Sequence, residues 1–223
     1  MPSDKKIIYP EICVIAAMTE SGLVGRGDGM PWRSSLDFKW FQQNTMGYPL
    51  LFGRRTAIGM TKGPGGFPLK NRPCAVLSRQ MTSAALISPK GGAPVFNDLD
   101  EACQYYSNFD KIFIAGGPSI YREALTSNKP WIELVDRPLV DTVILTTFPD
   151  GYCDGDVYFK QSELMDDSDF FLSGEETFKL NGCQYQPLYT PAKMLKKTDG
   201  HILKETDTPF LTVRFEIWRR RER

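Results

Sequence analysis

Ile12-Cys13-Val14-Ile15-Ala16-Ala17-Met18 is a continuous apolar run rather than an alternating one. Such runs form central strands in sheets covered on both faces, the arrangement of α/β proteins. A glycine-rich loop follows, with Gly22, Gly25, Gly27 and Gly29, and closes on Met30-Pro31-Trp32. Ser34-Ser35 then reads as a helix N-cap, with Asp37 in the first turn and Leu36, Trp40 and Phe41 at helical spacing. A strand, a glycine loop and a helix carrying an acid among aromatic residues thus open the chain.

Working outward, further apolar strands are expected at Pro49–Gly53, Pro73–Ser78, Lys111–Ala115 and Val140–Thr147. Helices are expected at 54–60, 98–106 and about 118–125. The last third changes character. Phe170–Phe178 and Phe210–Trp218 alternate apolar and polar residues, as half-exposed antiparallel strands do. Between them Asn181–Pro209 is polar and proline-containing, and reads as a long excursion. No internal repeat or clean boundary divides the chain. The expected fold is one α/β domain over 1–223: three layers, αβα, with a central mixed, mostly parallel sheet and an antiparallel C-terminal edge hairpin.

Composition narrows the chemistry. The 223 residues carry 27 basic and 27 acidic side chains, so formal net charge is zero and a nucleic-acid partner is not expected. His201 is the one histidine. It lies in the excursion and reads as structural or solvent-exposed. No His-rich zinc site can be built, a Ser-His-Asp triad would have to use that residue, and no metal site is expected. The five cysteines, Cys13, Cys74, Cys103, Cys153 and Cys183, form no CxxC pair, and several sit in apolar strand-like runs, which reads as buried reduced thiols of a cytoplasmic protein. Met1–Pro10 lacks the apolar stretch of a signal peptide. No apolar run approaches the roughly 20 residues of a membrane span. Arg219–Arg223 reads as a solvated basic tail.

Strand ends supply the candidate site. Gly22–Gly29, Gly53-Arg54-Arg55-Thr56, Ser78-Arg79 and Gly116-Gly117 follow apolar runs. Ligands of open α/β sheets bind there, beside helix N-termini, and glycine lets a backbone approach a phosphate. Each glycine alone also reads as a plain turn. Neither G-x-G-x-x-G nor a P-loop occurs. Asp37 has two readings: an acid complementing a helix dipole, or a lone carboxylate in an apolar cleft holding two adjacent N–H donors of a heterocycle.

Taken in order, these segments resemble dihydrofolate reductase. The resemblance runs through Ile12–Ala17, Leu23-Val24-Gly25, Gly29-Met30-Pro31-Trp32, Leu36–Phe41, Gly53–Thr56, Phe67–Arg72, Val76–Arg79, Ile114–Gly117 with Ile120-Tyr121, Leu145-Thr146 and Cys153–Asp156. It implies hydride transfer from NADPH to 7,8-dihydrofolate. By the resemblance Asp37 binds the pterin and favours protonation of its N5, Thr146 orients that carboxylate, and Trp32 shapes the pocket and orders a water. Ile15, Ala17 and Ala115 border the pterin. Phe38, Phe41, Met60 and Leu69 line the channel for the benzoyl-glutamate, and Arg72 pairs with its α-carboxylate.

For the cofactor, the resemblance places Ala17, Val24 and Gly25 at the nicotinamide side. Gly53, Thr56, Gly116, Gly117, Ser119 and Ile120 approach the pyrophosphate and its surroundings, with Gly116-Gly117 joined by a cis peptide, and Tyr121 packs near the nicotinamide riboside. Leu77 and Ser78 sit beside Arg54, Arg55 and Arg79, which surround the adenosine 2′-phosphate. Ala115 stands where a bulkier residue is usual in the family, which implies a roomier pocket and altered antifolate binding. Ala57, Gly59 and Met60 depart too. The aspartate form of the acid is commoner in bacteria and protists, while Phe38, Leu77-Ser78-Arg79 and the excursion look eukaryotic. The expected partners are dihydrofolate and antifolate inhibitors, with no membrane. A monomer is expected, since no thymidylate synthase extension follows. A pyrimidine reductase of riboflavin biosynthesis and a non-catalytic folate- or nucleotide-binding homologue are the alternatives.

Overall fold

A computed structural model describes residues 9–63, 66–80, 93–128, 138–164, 168–180, 185–187 and 211–221. The expected strands and helices form: β1 (Glu11–Thr19), α1 (Ser35–Thr45), β4 (Leu50–Gly53), α2 (Arg54–Thr61), β5 (Cys74–Leu77), α3 (Leu99–Tyr105), β7 (Lys111–Ile114), α4 (Pro118–Thr126), β8 (Thr142–Phe148), β10 (Phe170–Leu180) and β12 (Leu211–Arg220). Shorter elements complete the chain: β2 (Leu23–Gly25), β3 (Trp32–Ser34), β6 (Val95–Phe96), β9 (Val157–Tyr158), α5 (Gln161–Leu164) and β11 (Tyr185–Pro187).

Eight strands form one sheet in the order β10-β12-β8-β1-β7-β4-β5-β6. From β8 to β6 every pairing is parallel. β12 joins β8 antiparallel, and β10 closes that edge against β12 with an irregularity between Leu172 and Gly174. This is the mixed sheet with a C-terminal edge hairpin. Residues of β1 alternate between two cores. Ile12, Val14, Ala16 and Met18 face the side of α3 and α4, while Cys13 and Ile15 face the side of α1 and α2. A strand buried on both faces must be apolar at every position, which is why its sequence does not alternate.

A third cluster sits at one end, where Trp32, Phe148, Leu180, Val213 and Phe215 pack together. No helix among the described residues is long and apolar enough to cross a membrane. Cys13, Cys74, Cys103 and Cys153 are buried. Cys183 and His201 lie outside the described residues.

The basic C-terminus differs from the expected solvated tail. Arg219 and Arg220 belong to β12. The Arg220 side chain is only 12% exposed and pairs with Asp169 at 3.4 Å. Its Nε donates to the Val140 carbonyl at 2.7 Å, and its guanidinium lies 4.3 Å from the Phe170 ring centre. Arg221 stacks over Phe171 at 5.7 Å. A run of arginines reads as tail by composition, but an aromatic partner strand gives such stems a surface to cover.

Candidate active site

Parallel pairing aligns the carboxyl ends of the central strands on one edge. Gly53 stands opposite Leu77, Leu51 opposite Ile114, Val14 opposite Ile114, and Ala17 opposite Thr146. The loops expected to carry chemistry therefore emerge side by side.

Asp37 is held by local sequence and by a distant strand. Ser34 caps α1, its Oγ accepting from the Asp37 N–H at 3.3 Å. That fixes the first turn, and Asp37 faces inward at 7% exposure. Burial pushes its carboxyl up to about 6, against the opposing pull of a hydrogen bond from Thr146. Thr146 is itself buried on β8. Tyr121 lies within electrostatic reach of Asp37, and burial raises its phenol far above the ordinary value. Its hydroxyl donates to the Ile15 carbonyl at 2.9 Å. Trp32 is fully buried against Phe148, with ring centres 4.8 Å apart. The Trp32 indole Nε1 has no hydrogen-bond partner among the described residues. A buried donor without an acceptor is expensive, and a water or ligand oxygen at this point would satisfy it.

Ile15, Phe41, Met60, Leu69 and Ala115 join one cluster, while Ala17 packs with Trp32. Phe38 stands half exposed on α1. Arg72 is half-buried, 5.7 Å from the Phe41 ring centre, with Nη1 donating to Thr45 Oγ1 at 3.3 Å. Burial lowers its pKa. No carboxylate of the described residues pairs with it.

Two helix N-termini converge on a glycine cradle. Gly53 caps α2 and Gly117 caps α4, neither with a side-chain cap. The Gly53 N–H donates to the Gly116 carbonyl at 2.7 Å. A Cβ on Gly117 would meet Thr56 Oγ1 at 3.1 Å, and one on Gly116, at φ +124°, would meet the Tyr121 hydroxyl at 3.3 Å. The Gly116–Gly117 peptide is cis. Two sets of uncapped N–H groups around a surface with no side chains fit a pyrophosphate. Ile120 is buried in α4 and Ser119 is exposed in its first turn. Arg54 and exposed Arg55 open α2, and Ser78-Arg79 leaves β5 beside them. Arg79 lies 3.8 Å from Glu123 of α4.

Asp28 and Asp156 are the functional candidates that sequence reasoning missed. Val24 and Gly25 lie in β2, which pairs with β9. Beyond them the loop turns at Arg26–Gly29, with the Arg26 N–H donating to the Gly29 carbonyl at 2.9 Å. On one side Asp156 Oδ1 accepts from the Gly27 N–H at 2.8 Å, and the Asp156 N–H donates to the Gly25 carbonyl at 3.2 Å. On the other side Asp28 pairs with Arg55 at 3.4 Å and Lys62 at 3.6 Å. The Asp28 carbonyl sits where a Cβ on Gly59 would be. The only sequence signal was a pair of exposed-looking acids in glycine loops, which has no spacing rule behind it.

Comparison with known proteins agrees with this geometry. The sequence model described as dihydrofolate reductase matches residues 11–190. A dihydrofolate reductase of Mycobacterium leprae is 34% identical over 173 residues, 78% of this chain and 93% of the relative. One from Haemophilus influenzae is 30% identical over 148 residues, 66% of this chain and 78% of the relative. Among solved structures, dihydrofolate reductase from Enterococcus faecalis complexed with NADP(H) and RAB-propyl superposes with a TM-score of 0.62 at 20% identity. That superposition covers 96% of this chain and 99% of the other.

Proposed function

The chain belongs to the dihydrofolate reductase family, and we infer from that premise how its own residues serve the reaction. The protein is an oxidoreductase that reduces 7,8-dihydrofolate to 5,6,7,8-tetrahydrofolate with NADPH. NADPH, when bound, supplies the hydride.

Buried Asp37 carries the reading of the site. With its carboxyl raised to about 6, about nine in ten molecules are ionised at pH 7. The carboxylate can then accept two adjacent N–H groups of the pterin, with Thr146 fixing its plane. The same raised affinity for a proton lets it favour the N5-protonated substrate. Trp32 Nε1, buried and without a partner among the described residues, is suited to hold the water that delivers that proton. Ile15, Ala17, Met60, Leu69, Ala115, Phe41 and the exposed rim residue Phe38 support an apolar slot leading to Arg72, whose planar guanidinium suits the glutamate α-carboxylate.

The glycine cradle is the reading for the pyrophosphate: Gly53, Thr56, Gly116, Gly117, Ser119 and Ile120, with Tyr121 and Ala17 toward the nicotinamide. Val24 and Gly25 close that side. Arg54, Arg55 and Arg79, with Leu77 and Ser78, are the candidate receptors for the 2′-phosphate. One sheet takes strands from residue 11 to residue 220, which supports a single domain. We read the protein as a cytoplasmic monomer with antifolates as ligands and no nucleic-acid partner.

The test is direct. Protein, NADPH and dihydrofolate are mixed, and loss of NADPH absorbance is followed. Turnover is expected, and well-folded protein without it would overturn the reading. Retention of the Pro31-Trp32 and Asp37–Phe41 segments sets this activity above that of a pyrimidine reductase.

A further inference from the structure

Strand β3 lies outside the main sheet, and β11 is its ladder partner. The register sets Tyr185 opposite Ser34, Gln186 opposite Arg33 and Pro187 opposite Trp32, antiparallel. Three residues of β3 thus carry two site groups. Trp32 stands at one end, and at the other Ser34 caps α1 by accepting from the Asp37 N–H. Whatever fixes this short backbone fixes both the indole and the first turn that holds the carboxylate.

A two-stranded ribbon of three-residue strands is marginal by itself. Here it is anchored nearby. Leu180, the last residue of β10, is 1% exposed and packs in the cluster that contains Trp32. Five residue steps separate Leu180 from Tyr185, a reach of at most about 18 Å. Closing so short a connection costs little entropy. Pro187 has no N–H, so it can accept from but not donate to the ladder, as at a strand end.

We propose that β11, a strand of the C-terminal excursion, is a positioning element of the active site: through β3 it holds Trp32 and the first turn of α1, and so aims Asp37. The proposal rests on the reading of Asp37 and Trp32 as substrate-contacting groups. β11 touches no reacting atom and acts only through β3. Asp37 has Thr146 of β8 and Tyr121 of α4 around it, and its pKa is set by burial and the Thr146 hydrogen bond. Loosening the first turn admits water and lowers that pKa.

The test compares Gln186→Pro, which removes the central N–H of β11, with Gln186→Ala, which keeps the backbone. Both are made in the full chain. Gln186→Pro is expected to lower kcat/KM for dihydrofolate about tenfold or more, since small misplacement of a positioned group is costly. It should speed amide exchange at Arg33 and Ser34. The Asp37 carboxyl titration, followed by carbon NMR, should fall from about 6 toward the ordinary value. The NADPH dissociation constant should stay within about twofold, because its cradle lies on α2 and α4. Gln186→Ala should match the unsubstituted protein in all four readings. If Gln186→Pro does not fold, the double variant Tyr185→Gly, Gln186→Gly should shift the same readings in the same direction by about threefold. Unchanged exchange at Arg33 and Ser34 in a folded variant overturns the pairing. Faster exchange with unchanged kinetics and unchanged Asp37 titration overturns the positioning role. Exchange and titration need no turnover, so they decide the proposal even if the assigned reaction fails.

Discussion

Replacing Asp37 with asparagine should stabilise the ligand-free protein, and by an amount that depends on pH. Asp37 is 7% exposed, and its carboxyl is raised from 3.8 to about 6 by burial. A folded-state pKa above the unfolded value means that folding favours the neutral form. That contribution is fully present below about pH 3.8 and is lost as pH rises through about 6. By linkage the ionising carboxyl costs the fold about 2 kcal/mol at pH 5 and about 3 kcal/mol by pH 8. Asparagine does not ionise and escapes this cost. The two proteins share every other titrating group, so those groups cancel in the difference. The stability advantage of Asp37→Asn should therefore grow by about 1 kcal/mol between pH 5 and pH 8. Urea unfolding of both proteins at pH 5, 6, 7 and 8, without ligands, measures it as diverging midpoints at constant slope. A difference that stays flat across that range would refute the account of Asp37 as a buried carboxyl titrating near 6.

The same variant should lose about 10²- to 10³-fold in turnover at pH 7 and less at pH 5, where a larger fraction of the substrate is protonated; equal losses at both would count against its proton role. Arg72→Gln should raise KM for dihydrofolate about thirtyfold with kcat little changed, the effect of losing about 2 kcal/mol of charge-assisted binding. A fall in kcat alone would place the residue elsewhere. Gly59→Ala puts a methyl group where the Asp28 carbonyl lies, so the Arg26–Gly29 turn must move; kcat should fall and cleavage by protease near Gly27 should rise, at an overpacking cost of about 1–3 kcal/mol. Arg220→Ala should lower the urea midpoint by the equivalent of about 2 kcal/mol, through lost contacts to Phe170, Val140 and Asp169, while kcat holds. Unchanged stability would restore the solvated-tail reading.

Long elements were legible because their signals are local. A strand buried on both faces must be apolar throughout, so Ile12–Met18 announced itself. Ser34 announced a helix start because its side chain caps the first turn of α1. The short strands were not legible. β2, β3, β6, β9 and β11 each have two or three residues, too few for any period to show. Their partners lie far away in sequence, as Gly25 does from Val157 and Trp32 from Pro187. For the same reason the excursion read as featureless although Tyr185–Pro187 pairs with β3. Individual site residues were nameable through their order along the chain. Their partners were not: nothing at Asp28 forecasts Arg55 and Gly59, at i and i+4 on one face of α2, with Lys62 at its C-cap, on a helix not yet folded.

Zero net charge conceals how these partners are distributed. Arg55 and Lys62 meet Asp28, Arg79 meets Glu123, and Arg26 meets Asp154 at 3.6 Å. Two of the three arginines of the proposed phosphate site, Arg55 and Arg79, are thus already near carboxylates of the same chain. All these pairs are exposed, and exposed pairs contribute about 0–1 kcal/mol each. A phosphate could draw Arg55 or Arg79 away at little cost to the fold. If Arg55 is free to exchange partners, its pairing with Asp28 cannot be what holds the loop in place. That task falls to the contacts that do not exchange: the Asp156 carboxylate and N–H on the Gly25–Gly27 backbone, and the bare face of Gly59 against the Asp28 carbonyl. The glycines here are therefore as specific as any charge. Gly59 and Gly155 let two backbones touch the loop from opposite sides, and a loop so gripped keeps its place while the arginines beside it stay available to an anion.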